Sequence, residues 1–215
     1  QEAEPYLAEA ALDDEVRLTA SDGTFTIITT LPAAVEDEGD AVMPGRLFNE
    51  VVRKMPSGEV SATLSHSYVL PLRCLGSRTN ISGQNADAYP RVEVSANDAH
   101  IELPQSLVKD MITRTSFAVP MEDQRQVLTG GFFNMQNGQI DMVGLDGFRM
   151  AMRTARVSDT EHTVKAIIPL KSLEEIAKLM ADDEESRVEM RFGNNQLFVK
   201  LGSTRLITSL IDGEY

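Results

Sequence analysis

The sequence predicts an α+β protein built from two copies of one domain. Three observations predict it: an internal repeat at a nearly constant offset, short alternating runs joined by turn residues, and a few amphipathic segments of helical period. The repeat consists of three matched blocks in order. Leu18-Thr-Ala-Ser-Asp22-Gly23 stands beside Met142-Val-Gly-Leu-Asp146-Gly147, an offset of 124. The segment Met43–Met55 (Met-Pro-Gly-Arg-Leu-Phe-Asn-Glu-Val-Val-Arg-Lys-Met) stands beside Ile168–Met180 (Ile-Pro-Leu-Lys-Ser-Leu-Glu-Glu-Ile-Ala-Lys-Leu-Met), at 125. Leu75-Gly76-Ser77 matches Leu201-Gly202-Ser203, and Tyr89 matches Tyr215, both at 126. A boundary is expected near residues 91–98, so 1–92 and 93–215 are read as two domains.

The elements follow from local chemistry. Val16–Ala20 and Thr24–Thr30 read as strands around Ser21-Asp22-Gly23, because Asp-Gly favours a tight hairpin. Ile140–Gly144 and Phe148–Arg153 repeat the pattern around Asp146-Gly147. Asn137-Gly138 and Asn194-Asn195 mark further turns, the latter ahead of an alternating run at Gln196–Leu201. In Met43–Met55, the residues Leu47, Phe48, Val51, Val52 and Met55 fall on one helical face, and Pro44 suits the first helical turn. In Ile168–Met180, Leu173, Ile176, Ala177 and Met180 do the same behind Pro169. A third helix is expected over Pro104–Phe117, with Leu107, Val108, Met111 and Ile112 inward. The second copy thus has two helices and the first only one, so the earliest part of the first copy is expected to be missing.

Composition narrows the function. The 215 residues are 42% hydrophobic and 25% charged, a globular balance. No apolar run is long enough to span a bilayer, and the start, Gln1-Glu2-Ala3-Glu4, lacks the basic and apolar regions of a signal peptide. The single cysteine, Cys74, has no internal disulfide partner, which points to a reducing cytoplasm. The net charge of −13 argues against an acidic partner unless basic residues are concentrated somewhere. They are concentrated on the helices. Arg46 and Arg53 lie seven residues apart on one side of the first helix, with Lys54 nearby, and Lys171 and Lys178 hold the matching positions in the second copy. Lys109 and Arg114 lie on the third helix. The three helical segments carry +2, +1 and 0, which leaves −16 for the rest of the chain.

No pattern calls for chemistry. His66, His100 and His162 are scattered without ligand spacing, so no metal site is expected. Cys74 sits in an apolar stretch and reads as packed rather than nucleophilic. Gly130-Gly131 lacks the Lys and Ser/Thr of a phosphate-binding loop. Asp22 and Asp146 occupy one turn in two copies, so they are expected to shape hairpins. The acidic run Asp182–Glu185 reads as an exposed helix end. Neither a catalytic residue nor a cofactor is expected.

The stretch Asp123-Gln-Arg125-Gln-Val-Leu128-Thr-Gly-Gly131-Phe-Phe, followed by Leu145-Asp-Gly-Phe-Arg149-Met-Ala-Met-Arg153, resembles the middle domain of the bacterial DNA polymerase III β subunit family, the DNA sliding clamps. Ser209–Tyr215 is similar to the end of that domain, and Ser82–Pro90 to the end of the first. The resemblance implies the clamp fold: three similar domains per subunit, and two subunits closed head to tail into a homodimeric ring. Helices line the hole around duplex DNA and antiparallel sheets form the outer wall. It implies that Arg46, Arg53, Lys54, Lys109, Arg114, Lys171 and Lys178 face DNA without reading its sequence. It also implies one side of a hydrophobic cleft, carried by Arg125, Leu128, Leu145, Gly147, Phe148, Arg149 and Met150. There, short peptide motifs of the replicative polymerase, the clamp loader and repair proteins would dock. The chain departs from the family at Leu145, where Thr is usual, and at Met150, where Leu is usual, which implies a different motif preference. A third domain, with its half of the cleft, is expected to be absent. A second reading is a clamp-fold peptide-binding adaptor that does not encircle DNA, which would suit the acidic net charge.

Overall fold

The computed structural model describes residues 6–12, 14–87, 89, 99–158, 162–193 and 195–215, with the backbone alone over 6–12. The chain divides into two compact units, 1–93 and 94–215. The boundary expected at 91–98 lies outside the described residues.

In the first unit, β1 (Tyr6–Leu12), β2 (Glu15–Ser21), β3 (Phe25–Pro32) and β4 (Gly39–Pro44) are followed by α1 (Gly45–Lys54). Then come β5 (Ser61–Ala62), β6 (Val69–Cys74) and β7 (Ser77–Ser82). The antiparallel order is β4-β1-β2-β3 in one sheet and β5-β6-β7 in the other. Ala41 and Met43 of β4, Leu70 and Leu72 of β6 and Ile81 of β7 form the core, with Phe48 and Val51 of α1 and Met55 just after it packed on it.

In the second unit, β8 (Ala99–Pro104) leads into α2 (Gln105–Thr113), and a short 3-10 turn follows at Ser116–Ala118. A second 3-10 turn at Gln126–Thr129 precedes β9 (Gly130–Gln136), β10 (Gln139–Leu145), β11 (Met150–Arg156) and β12 (Val164–Pro169). Next are α3 (Leu170–Leu179), β13 (Arg187–Phe192), β14 (Gln196–Leu201) and β15 (Thr204–Ser209). The sheets run β11-β10-β9-β12 and β15-β14-β13-β8, antiparallel throughout. Phe133 of β9 stacks on Phe192 of β13, centroids 5.0 Å apart, so the two sheets share one core. A Cβ on Gly131 would lie 2.6 Å from Leu173 Cδ1, so this glycine lets α3 close onto β9. On the other side of α3, Ser172 and Thr208 exchange a buried hydroxyl–hydroxyl bond of 2.6 Å. The repeat is therefore structural: β1 through β4 and α1 are rebuilt as β9 through β12 and α3.

Among the described residues, α1, α2 and α3 each begin directly after a strand that ends in proline. Pro44, Pro104 and Pro169 each sit at the N-cap, with φ between −52° and −61°. Pro44 and Pro169 were expected inside the first helical turn and lie one step earlier. The ring's fixed φ serves a strand end as well as a helix start, and its missing N–H closes the ladder. The helix expected over Pro104–Phe117 stops at Thr113. Thr115 turns its hydroxyl back onto the Met111 carbonyl at 2.8 Å, and the chain tightens into the 3-10 turn. Val108, Met111 and Ile112 are buried, and Leu107 is half-buried. On α1, Leu47 and Val52 are exposed instead of inward. Phe48, Val51 and Met55, each half-buried, define the inward stripe, and Leu47 and Val52 lie some 70° to either side of its centre at 100° per residue. The acidic run at 182–185 follows α3 as exposed bends. Among the described residues no helix is long and apolar enough to cross a membrane.

Candidate functional site

The turn between β10 and β11 carries most of the sequence-predicted cleft residues, and Asp146 builds it. Its Oδ1 accepts the backbone N–H groups of Phe148 and Arg149, both at 3.0 Å, and its Oδ2 accepts Arg149 Nε at 2.9 Å. These bonds, the two backbone donors first, hold the Asp146 carboxyl below the usual carboxylate range. Gly147 supplies the φ of +86° that the turn requires. Asp22 makes the same turn in the first unit, accepting from the N–H groups of Thr24 and Phe25 at 3.0 and 2.8 Å, beside Gly23 at +90°.

This carboxylate capture corrects one expectation. The strand expected from Phe148 starts at Met150, because Leu145 pairs with Met150 and four residues span the loop. Phe148 therefore stands at the tip, fully exposed, with Met150 at 67%. Arg149 reaches sideways, its Cζ 5.9 Å from the centroid of the exposed Phe117 ring. Arg125 approaches the same turn: its Nη2 lies 3.3 Å from where a Cβ on Gly147 would be. Asp123 holds Arg125 through its backbone N–H at 2.7 Å. Leu145 donates its N–H to the Tyr215 hydroxyl at 3.1 Å, and the Tyr215 ring stacks on Phe132 at 5.2 Å. Burial pushes the Tyr215 phenol upward, so it stays protonated at neutral pH.

The structure thus brings Arg125, Leu145, Gly147, Phe148, Arg149 and Met150 to one turn. Leu128 differs. At 5% exposure it is a core residue under the 3-10 turn at 126–129 and presents almost no surface of its own. Phe117 and Tyr215 were not anticipated as site residues. Phe117 had a signal, since it falls about 150° from the centre of the inward stripe of the helix that precedes it. What the turn offers chemically is apolar surface beside two fixed guanidinium groups, a combination suited to a peptide's apolar anchors and carbonyls.

The basic helix faces are exposed but largely self-paired. Arg46 meets Glu50 at 3.5 Å and Lys178 meets Glu175 at 2.8 Å, which raises the Lys178 pKa. Lys109 donates to the Met180 carbonyl at 3.1 Å and pairs with Asp182 at 2.8 Å. Arg114 pairs with Asp110, which also receives Arg153 of β11 at 2.9 Å. Arg53 and Lys54 have no ion-pair partner among the described residues. Lys171 is exposed on α3.

Asp110 yields a pH prediction. Arg114 and then Arg153 hold its carboxyl below the usual range. A lowered folded value contributes stability that is fully present above the unfolded carboxyl value, about 3.9, and fades as pH falls through the folded one. Asp110→Asn should therefore lower the melting temperature at pH 7 by an amount equivalent to about 1 kcal/mol or less, given the part-exposed pair. That difference should shrink as pH falls below the unfolded carboxyl value. A melting-temperature gap independent of pH would disprove the ion-pair account.

Among the described residues no three His, Cys, Asp or Glu are placed to hold a metal ion. The class these features define is a repeated α+β scaffold with basic helix faces and an apolar, arginine-flanked turn. The chain belongs to the DNA polymerase III beta subunit family. The N-terminal domain of that family matches residues 7–93, and its central domain matches 102–215. The Beta sliding clamp of Staphylococcus aureus is 32% identical over 213 residues, and that of Staphylococcus epidermidis 33% over 214. Each match covers 95% of this chain and 56% of the relative, so the chain spans little more than half their length. The DNA polymerase sliding clamp of Bacillus subtilis superimposes with a TM-score of 0.92 at 28% identity, over 98% of this chain and 57% of that one. A putative DNA polymerase III beta subunit from Eubacterium rectale does so with 0.92 at 26%, over 99% and 58%. The fold is the clamp fold.

Proposed function

We propose that this chain is the first two domains of a sliding clamp that encircles duplex DNA and tethers the replicative polymerase for processive synthesis. In this reading the domains are residues 1–92 and 93–215. The intact protein is a cytoplasmic head-to-tail homodimer that catalyses nothing itself. The observation that carries the reading is the repeated basic face: Arg46 and Arg53 on α1 recur as Lys171 and Lys178 on α3, exposed in both units. Exposed cations on helices meet phosphates in any register, and contacts that carry no sequence information permit sliding.

The polymerase, the clamp loader and repair proteins then dock short apolar motifs on the 145–150 turn. Leu145, Phe148 and Met150 receive the anchors, while Arg125 and Arg149 orient the backbone. Arg149→Ala should weaken a peptide with Leu and Phe anchors roughly tenfold, as expected for an arginine hot spot, and leave the melting temperature nearly unchanged. Equal affinity by fluorescence anisotropy would remove Arg149 from the site.

The decisive experiment loads the intact protein on nicked circular DNA with a clamp loader and ATP, then cuts the circle. Retention on the circle and loss on the linear form support a topological ring. Equal retention on both overturns it. The net charge of −13 and the ion pairs on Lys109, Arg114 and Lys178 favour a second reading, a clamp-fold adaptor without DNA. Failure to retain the circle, with peptide binding intact, would select that reading.

A further inference from the structure

The ten methionines of the chain are sharply sorted. Met43, Met111, Met135, Met142, Met180 and Met190 are at most 3% exposed, and Met55 packs against the first unit's core. Met121, Met150 and Met152 are exposed at 82, 67 and 57%. Met150 and Met152 are two residues apart on β11, so their thioethers share one face of the strand. Met150 stands directly opposite Leu145 in the β10–β11 register, next to the fully exposed Phe148. Soft, oxidisable sulfur is thus placed in the apolar surface of the turn and kept out of solvent nearly everywhere else.

We propose that Met150 and Met152 form an oxidation-responsive modification site that switches this face between a peptide-binding and a weakly binding form. It rests on the reading of the turn as a peptide-docking site. The oxidant is a small peroxide. The thioether sulfur attacks one peroxide oxygen, the O–O bond breaks, and a sulfur–oxygen bond forms. Sulfur loses two electrons, the peroxide is reduced, and hydrogen peroxide leaves as water. The product is a sulfoxide, a polar and strongly accepting group in place of an apolar one. An apolar anchor that lands on it must strip water from that oxygen without returning a hydrogen bond, which lowers affinity roughly tenfold per sulfoxide in contact. Cys74 does not compete for the oxidant, because it is buried with its thiol on the Pro56 carbonyl. The reaction is reversible by enzymes that reduce methionine sulfoxide, so the change is a switch.

The test treats the intact protein with hydrogen peroxide and maps the added oxygen by mass spectrometry. In parallel, the affinity for a labelled synthetic peptide carrying Leu and Phe anchors is measured. Met121, Met150 and Met152 should gain oxygen before any of the six buried methionines. Affinity should fall roughly tenfold or more in step with Met150 and Met152, with the melting temperature held. Methionine sulfoxide reductase should restore it. A Met150→Leu/Met152→Leu variant should keep its own starting affinity through the treatment, while Met121→Leu should lose affinity like the wild type. Full oxidation at both sites without loss of affinity overturns the inference, as does an equal loss in the double leucine variant. If the untreated protein does not bind the peptide, or binds it indifferently to Arg149→Ala, the docking reading itself fails and the inference falls with it.

Discussion

Replacing Arg46, Arg53, Lys171 and Lys178 together by alanine should flatten the salt dependence of duplex binding by a slope of roughly 3.6, at 0.9 per phosphate contact. At 0.15 M salt that corresponds to a loss of roughly a thousandfold in affinity. All four side chains lie on exposed positions, and the pairs that Arg46 and Lys178 now make are weak. Arg46 is 79% exposed and its partner Glu50 55%, and Lys178 and Glu175 are 64% and 42% exposed. Pairs of this kind contribute about 0–1 kcal/mol and give way to a phosphate without a large penalty. A salt titration of binding to a short duplex reads the slope directly. An unchanged slope would mean that the helix faces are only solvated surface, and the adaptor reading would stand.

Phe133→Ala should destabilise the second unit by about 3–5 kcal/mol, the range for emptying a buried aromatic site. Phe133 is 1% exposed and stacks on Phe192, so it joins the β9 sheet to the β13 sheet where α3 closes over them. The methionines around it, Met135 and Met142, are equally buried, and flexible thioethers refill only part of such a gap. The urea midpoint should fall with little change in the denaturant slope, and the melting temperature should drop by roughly 10–20 °C. A drop of only a few degrees would mean that the two sheets do not depend on this ring for their packing.

What was legible in the sequence was local. The Asp22 and Asp146 turns, the Asn137-Gly138 turn with φ of +51° and +72°, and the strand–proline–helix junctions are all written in residues a few positions apart. The turn at Asn194-Asn195 falls partly outside the described residues. What was not legible depends on partners far along the chain. The hydroxyl of Tyr215 meets the N–H of Leu145 across 70 residues, and Asp110 meets Arg153 across 43. The same holds for the exposed Leu47 and Val52, whose fate is decided by where the sheet lies rather than by helical period. Leu128 shows the limit from the other side. A motif can carry the right residue to the right place, and packing still turns it inward.

The paired turns at Asp22 and Asp146 separate a chassis from its payload. The aspartate and the glycine fix the backbone in both copies, and neither depends on what stands at the tip, where Thr24 in one becomes Phe148 in the other. Duplication thus left this protein with a spare mounting point of identical shape. One copy could drift toward grease and positive charge without putting the hairpin itself at risk. The other remains a blank on which a second contact surface could be grafted by changing side chains and no backbone.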